Sequence, residues 1–160
     1  KYIAKAEPSQ TQEVVKKENA NAAKKESELW RAIFTHPKAR SIIANGLANA
    51  VEATNTKIVA GGVTAGVPYA TMVADRLDLP LVYVRSEPKA HGTGAQIEGG
   101  NVSGKQVVLI EDLVTTGKSI MHFAEILRGS GAIVENVIVM FARLVKLHQQ
   151  MEVKFANHVV

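Results

Sequence analysis

From residue 57 to residue 141, short apolar runs alternate with stretches of helical periodicity. The apolar runs, which predict strands, are Lys57–Ala60, Leu81–Arg85, Gln106–Ile110 and Ile133–Phe141. The helices predicted between them are Val67–Leu77 and Ser119–Arg128. Strands separated by helices of about ten residues form parallel βαβ crossovers. We therefore predict an α/β fold in which a parallel sheet carries helices on both faces.

The first part of the chain has a different character. Residues 1–28 are rich in Lys, Glu and Ala, which predicts one exposed helix, and the only Trp, within residues 29–34, should anchor it. Pro37 begins a second predicted helix that extends to about Ala53. The length of 160 residues suits a single domain, with a helical N-terminal segment at 1–35 and a core at 57–145.

Composition excludes several classes of protein. The chain has no Cys, which excludes disulfide frameworks, thiolate metal sites and Cys nucleophiles. No apolar run approaches the roughly 18 residues that a membrane-spanning helix needs. The basic first residues also lack the apolar stretch of a signal peptide. We therefore expect a cytoplasmic protein without membrane contact.

The net charge of +4 suggests nucleic-acid binding, but its distribution argues against this function. Residues 1–40 hold nine Lys or Arg and five Glu, a net of +4, whereas residues 41–160 hold ten of each sign. The excess is interleaved with Glu, as on a solvated helix face. A nucleic-acid partner is therefore not expected.

Residues 107–119, with the sequence VVLIEDLVTTGKS, carry the strongest functional signal. A buried strand leads into Glu111 and Asp112, at the sheet end where α/β proteins bind ligands. The following TTGKS segment opens a helix, whose free N–H groups and dipole favour a phosphate. Either half alone would also fit an ordinary strand end or helix cap. Together they favour a phosphosugar site, although the GxxxxGK[ST] spacing of a P-loop is absent.

The same segment resembles the phosphoribosyl-pyrophosphate (PRPP) motif of type I phosphoribosyltransferases. Residues 59–85 resemble the orotate phosphoribosyltransferases, in which a glycine-rich turn after the first sheet strand holds the pyrophosphate end of PRPP. Residues 85–99 are similar to that family's mobile catalytic loop, with its core at 89–92 (KAHG). The resemblance covers about residues 30–145 and implies the type I phosphoribosyltransferase fold, with a PRPP-binding core at 57–145 and a mobile loop over the active site.

The resemblance implies a role for each matching residue. Glu111 and Asp112 match the acidic pair that contacts the ribose hydroxyls, and Asp112, Lys89 and His91 are the catalytic candidates. The other candidate PRPP contacts are Thr64, Ala65, Gly66, Arg85, Thr115, Thr116, Gly117, Lys118 and Ser119. Arg143 is the candidate for base binding. The implied cofactor is Mg²⁺, held mainly through PRPP, with Asp112 contacting it through a water.

Residues 85–99 support this assignment independently of the resemblance. Arg85, Lys89 and His91 lie within seven residues and are followed by several glycines, so the loop can change conformation and close on an anionic ligand. In isolation, the same features would fit a surface loop with an incidental His better than a catalytic loop. The neighbouring motifs favour the catalytic interpretation.

The implied reaction converts orotate and PRPP to orotidine 5′-monophosphate and pyrophosphate, in pyrimidine nucleotide biosynthesis. The implied assembly is a homodimer in which loop 86–100 reaches the neighbouring active site. Two alternatives stay open, namely a phosphoribosyltransferase for another base and a non-catalytic PRPP-sensing regulatory protein. Residues 1–35 lack the Ser-Gly-Arg-x-Ser-Pro stretch of the family's base-binding hood, which is therefore either remodelled or incomplete.

Overall fold

A computed structural model describes residues 32–88, 95–114 and 116–142, together with the single positions 21, 24, 25 and 28. The helices are a 3₁₀ turn at Ile33–Thr35, α1 at Pro37–Glu52, α2 at Gly66–Leu77 and α3 at Lys118–Gly129. The strands are β1 at Ile58–Gly62, β2 at Leu81–Val84, β3 at Ile97–Glu98, β4 at Gln106–Val114 and β5 at Ile133–Ala142. The predicted order of strands and helices is confirmed.

The five strands form one sheet in the order β3-β2-β1-β4-β5. The pairs β1–β2, β1–β4 and β4–β5 are parallel, as predicted. β3 is an additional edge strand that the sequence did not predict, and it pairs antiparallel with β2 through Tyr83–Glu98 and Val84–Ile97. The chain turns back on itself after β2, and the Arg85 N–H donates to the Gln96 carbonyl at 2.8 Å. A two-residue strand is too short to leave a hydrophobic pattern.

Both faces of the sheet are covered by helices, which confirms the predicted layering. Alternate residues of β4 point to opposite faces. Val107 and Leu109 belong to the apolar cluster that includes Phe123 and Leu127 of α3. Val108 and Ile110 belong to a second cluster with residues of α1 and α2. β4 is therefore buried on both sides, which explains its continuous apolar sequence.

The acidic pair lies inside β4 rather than directly after it. The sequence predicted that this strand ends at Ile110, but its pairing with β5 continues to Val114–Ala142. Pairing with β1 stops at Gly61–Ile110. Beyond that point β4 pairs with β5 and no longer with β1. Glu111 and Asp112 therefore lie on a part of β4 that has one hydrogen-bonded neighbouring strand.

The ends of the chain are described in small part. Positions 21, 24, 25 and 28 are helical and exposed, in agreement with the predicted N-terminal helix, and the rest of 1–31 lies outside the described residues. Residues 143–160 also lie outside them. Within the described ranges, none of the helices has the length and apolar character required to cross a membrane. The single-domain assignment stays a prediction.

Candidate functional site

The candidate site lies where β1 and β4 reach the amino termini of α2 and α3. The parallel register places Gly61 beside Ile110, so the turn that follows β1 is adjacent to Glu111. α2 begins at Gly66, four residues after β1 ends, and α3 begins at Lys118, four residues after β4 ends. Two helix amino termini therefore lie close to the acidic pair, and each offers free N–H groups to an anion.

Glu111 is buried, with 6% of its surface exposed. Its Oε1 has no hydrogen-bond partner among the described residues. Burial, and secondarily the charge of Asp112, raises the pKa of Glu111 to about 8, although a backbone hydrogen bond from Asp112 opposes this shift. Burial disfavours the ionised form of a carboxyl group. In the ligand-free protein, Glu111 therefore carries its proton at neutral pH.

Asp112 is also buried, with 8% of its surface exposed, and follows Glu111 on the opposite face of β4. Tyr69 of α2 is fully buried on that face, and its ring centroid lies 4.9 Å from that of Phe34. Burial, followed by the charge of Asp112, raises the pKa of Tyr69 to about 12. The pair thus consists of one carboxyl group on each face of the strand, and the phenol of Tyr69 stays protonated.

The glycine-rich turn packs closely against its surroundings. A Cβ at Gly61 would lie 2.8 Å from the Cα of Val67, and one at Gly66 would lie 2.5 Å from the Ile110 carbonyl oxygen. Thr64 is exposed, Ala65 is buried, and the Val63–Thr64 peptide bond is cis. The predicted PRPP contacts Thr64, Ala65 and Gly66 therefore lie together beyond the carboxyl end of β1, near the acidic pair.

The segment 116–119 at the start of α3 is more exposed to solvent. Thr116, Lys118 and Ser119 are exposed, whereas Gly117 is buried and has a φ of 74°. This φ lies in the left-handed region, which Gly adopts without steric cost. The Gly117 carbonyl accepts from the Met121 N–H at 2.9 Å, which begins the helix. Exposed hydroxyl groups and free N–H groups at a helix start can bind a phosphate. Thr115 lies outside the described residues.

Of the three candidate residues Arg85, Lys89 and His91 in the predicted catalytic loop, the structure describes Arg85. It follows β2 directly, is partly buried, and its Nε has no hydrogen-bond partner among the described residues. Lys89 and His91 lie outside the described residues, as does Arg143. The structure therefore brings together Glu111, Asp112, the glycine turn and the α3 amino terminus, and the catalytic roles of Lys89 and His91 stay predictions.

His122 makes a contact that the sequence did not reveal. It is exposed on α3, as expected of a surface residue, and its Nε2 lies 2.8 Å from the Ser86 carbonyl oxygen. The side chain of Gln96 donates to the same oxygen at 3.4 Å. These contacts tie Ser86 to α3 and Gln96 to Ser86, at the two described ends of the predicted loop. The His122 partner is a main-chain atom 36 positions away, so no side-chain pattern could have indicated it.

A cleft of about 490 Å³ lies away from this site. Its lining includes Gln96 and Asn101 near β3 and Ile126 and Ser130 near the end of α3. It contains neither carboxylate of the pair.

The fold and the acidic pair before a phosphate-type loop agree with the comparison to known families. The phosphoribosyl transferase domain matches residues 30–157. The chain belongs to the phosphoribosyltransferase family, which confirms the resemblance seen in the sequence.

Individual relatives narrow the similarity to one branch of that family. The orotate phosphoribosyltransferase of Streptococcus pyogenes serotype M12 is 41% identical over 113 residues, which cover 69% of this chain and 54% of that protein. The enzyme of the same name from Streptococcus pneumoniae serotype 4 is 38% identical over 114 residues, covering 70% and 54%. The chain spans about half the length of these curated relatives.

A solved structure supports the same relationship. The crystal structure of orotate phosphoribosyltransferase from Aeropyrum pernix matches with a TM-score of 0.63 and 36% sequence identity. The match covers 71% of this chain and 64% of that chain. The type I phosphoribosyltransferase fold that the motifs implied is thus confirmed.

Proposed function

We propose that the chain transfers a phosphoribosyl group from PRPP to orotate, giving orotidine 5′-monophosphate and pyrophosphate. The bond between C1 of the ribose and pyrophosphate breaks, and a bond from C1 to a ring nitrogen of orotate forms. The proton that this nitrogen loses passes to the solvent or to the leaving pyrophosphate. The observation that carries the proposal is the meeting of Glu111 and Asp112 with the glycine turn and the α3 amino terminus. Relatives named orotate phosphoribosyltransferase support orotate as the base.

Each part of the site has a role in this proposal. Glu111 and Asp112 accept hydrogen bonds from the ribose hydroxyls, which a carboxyl group can do in either protonation state. The amino terminus of α3, with Thr116 and Ser119, holds the 5′-phosphate. The N–H groups of the 63–66 turn approach the pyrophosphate. Binding both ends of PRPP fixes the ribose between them and exposes C1 to the base.

The proposed chemistry needs charge stabilisation rather than a covalent nucleophile. As the bond to pyrophosphate breaks, positive charge develops on the ribose and negative charge on the leaving group. Lys89 and His91, which lie outside the described residues, are proposed to neutralise the leaving group, and either can donate a proton to it. Preorganised charges of this kind cost no rearrangement during the reaction.

The residues present fit Mg²⁺ that is held mainly by the substrate. In the described ranges, three or more His, Asp or Glu side chains never gather as a metal cluster. Mg²⁺ keeps several waters and binds one or two carboxylates together with substrate phosphates. Asp112, beside the proposed ribose position, suits contact through a water. When bound, Mg²⁺ would neutralise charge on the pyrophosphate.

A steady-state assay with PRPP, Mg²⁺ and a panel of bases tests the proposal. We expect turnover with orotate. Turnover with a purine or another pyrimidine, and none with orotate, would show that orotate is not the substrate. Asp112→Asn should lower kcat/KM for PRPP by about 10- to 150-fold, because a charged acceptor is lost. Asp75→Asn, at an exposed carboxyl group of α2, is the matched control and should leave it unchanged. PRPP binding without turnover of any base would favour a regulatory protein.

We also propose a homodimer in which loop 86–100 serves the neighbouring site. Lys89→Ala and Asp112→Asn proteins, each of low activity on its own, would then form hybrids in which one site carries both changes and the other none. A random 1:1 mixture should regain about a quarter of the wild-type activity, for two-fold dimers with independent sites. No recovery despite proven subunit exchange would assign the loop to its own subunit. The expected cytoplasmic location stays a prediction.

A further inference from the structure

Gly62, the last residue of β1, faces the side chain of Glu111. A Cβ at position 62 would overlap the Oε1 of Glu111 and would lie 2.6 Å from the Cε2 of Phe123. A Cβ at Gly66 would lie 3.1 Å from the same Oε1 and 3.2 Å from the Cδ of Glu111. Two glycines and one ring edge thus enclose the carboxyl group, and we call Gly62, Gly66 and Phe123 the carboxyl seat.

The seat is open because Gly62 and Gly66 have no side chains. Oε1 is buried and has no hydrogen-bond partner among the described residues. Real Cβ atoms do not approach other atoms closely enough to share this space, so even an alanine at position 62 would require the carboxyl group to move. The geometry therefore gives Gly62 a task that is separate from backbone contacts to pyrophosphate.

We propose that Gly62 and Gly66 are positioning residues for Glu111. By leaving the seat open, they hold the carboxyl group at the edge of β4 where the ribose of PRPP is proposed to bind. The functional part of this inference rests on the proposed phosphoribosyl transfer. The structural part is that the loss of stability caused by a side chain at position 62 depends on the length of the acidic side chain at position 111. This part does not rest on the proposed function.

Gly61 provides a matched control on the same strand. A Cβ there would lie 2.8 Å from the Cα of Val67, 2.9 Å from the Cβ of Ala70 and 3.1 Å from the Gly66 carbonyl oxygen. All three atoms belong to α2, and none belongs to Glu111. Gly61→Ala should therefore damage the packing of α2 on the sheet, whatever acidic side chain stands at position 111.

A double-mutant cycle tests the proposal. Gly62→Ala and Gly61→Ala are each made with Glu111 present and in a Glu111→Asp background, where the carboxyl group is one methylene shorter. Thermal melts of the full chain measure stability, and steady-state assays measure kcat/KM for PRPP. Residues in contact deviate from additivity, whereas independent residues do not. We expect Gly62→Ala to lower kcat/KM about tenfold less in the aspartate background, and Gly61→Ala to cost the same in both.

Each outcome decides a different part of the proposal. Equal losses of stability for Gly62→Ala in both backgrounds would overturn it, as would a Gly62→Ala protein that is unfolded in both, since Phe123 would then explain the glycine. Coupling in the melts without coupling in kcat/KM would overturn the positioning role. The melts need no substrate, so a wild-type protein that never turns over PRPP would count against the proposed function alone.

Discussion

The two anion-binding segments of the candidate site are built in opposite ways. In the glycine-rich segment 61–66, which joins the end of β1 to the start of α2, Gly61, Gly62 and Gly66 are buried, and a Cβ at any of them would meet neighbouring atoms at 2.8 Å or less. In the segment 116–119 at the start of α3, Thr116, Lys118 and Ser119 are exposed. The first segment is shaped by packing against α2 and Glu111, whereas the second is shaped by the start of a helix. Substitutions in the segment 61–66 should therefore lower both the stability of the protein and its affinity for PRPP. Substitutions of the exposed residues in the segment 116–119 should lower the affinity for PRPP alone.

The largest expected effect concerns Glu111 on the packed side of the site. Its pKa is about 8 in the folded protein and close to 4.5 in an unfolded chain. Between these values the unfolded chain releases a proton that the folded protein retains, so the stabilisation is present below pH 4.5 and lost as the pH rises to 8. The shift corresponds to an effect on the order of several kcal/mol.

Glu111→Gln, which cannot ionise, tests this pH dependence. Unfolding in urea at pH 5 to 9, without Mg²⁺ or PRPP, should show the wild type losing stability relative to the variant as the pH rises. Glu135→Gln, at an exposed position of β5, is the control and should follow the wild type. Parallel curves for wild type and Glu111→Gln would contradict the burial of an uncharged carboxyl group.

The packing of the turn predicts the next largest effect. Gly66→Ala should destabilise the protein by about 1–3 kcal/mol, because the new Cβ would lie 2.5 Å from a main-chain oxygen that cannot move aside easily. Gly129→Ala at the end of α3 is the control, since nothing lies within 4 Å of its Cβ position. That change should be neutral, or stabilising by up to about 1 kcal/mol. Equal urea midpoints for the two variants would show that the turn is not tightly packed.

We expect the smallest change in stability from a substitution in the exposed segment 116–119 at the start of α3. Ser119→Ala removes one exposed hydroxyl group, so the free energy of unfolding should change by less than about 0.5 kcal/mol. The affinity for PRPP, measured by calorimetry, should fall by about tenfold because a phosphate contact is lost. Ser130→Ala, beyond the other end of α3, should change neither quantity. A loss of stability as large as that of Gly66→Ala would remove the difference between the two segments.

The elements of the fold that the sequence predicted are those with continuous local patterns. The apolar run at 107–110 indicated a strand buried on both faces, and Pro37 indicated the start of α1. β3 could not be predicted, because its two residues are defined by their register on Tyr83 and Val84. The extension of β4 to Val114 likewise depends on pairing with β5.

The candidate site shows the same limit. The adjacent carboxyl groups of Glu111 and Asp112 were visible as a pair, since the two residues are neighbours in the chain. The contact between Glu111 and Gly62 depends on the parallel register of β1 and β4, which no local pattern encodes. The hydrogen bond from His122 to the Ser86 carbonyl depends on tertiary packing in the same way. The sequence therefore predicted which residue types form the candidate site, but not how deeply Glu111 and Asp112 are buried or which residues they and His122 contact.

Hydrogen exchange of the wild-type protein with and without PRPP and Mg²⁺ tests most directly whether the two segments form one site. Ligand contacts slow the exchange of the amides that they cover. We predict slower exchange at both 63–66 and 116–119 when PRPP binds, with little change at the cleft lined by Gln96, Asn101 and Ser130. Protection at that cleft, or at one segment without the other, would contradict the account.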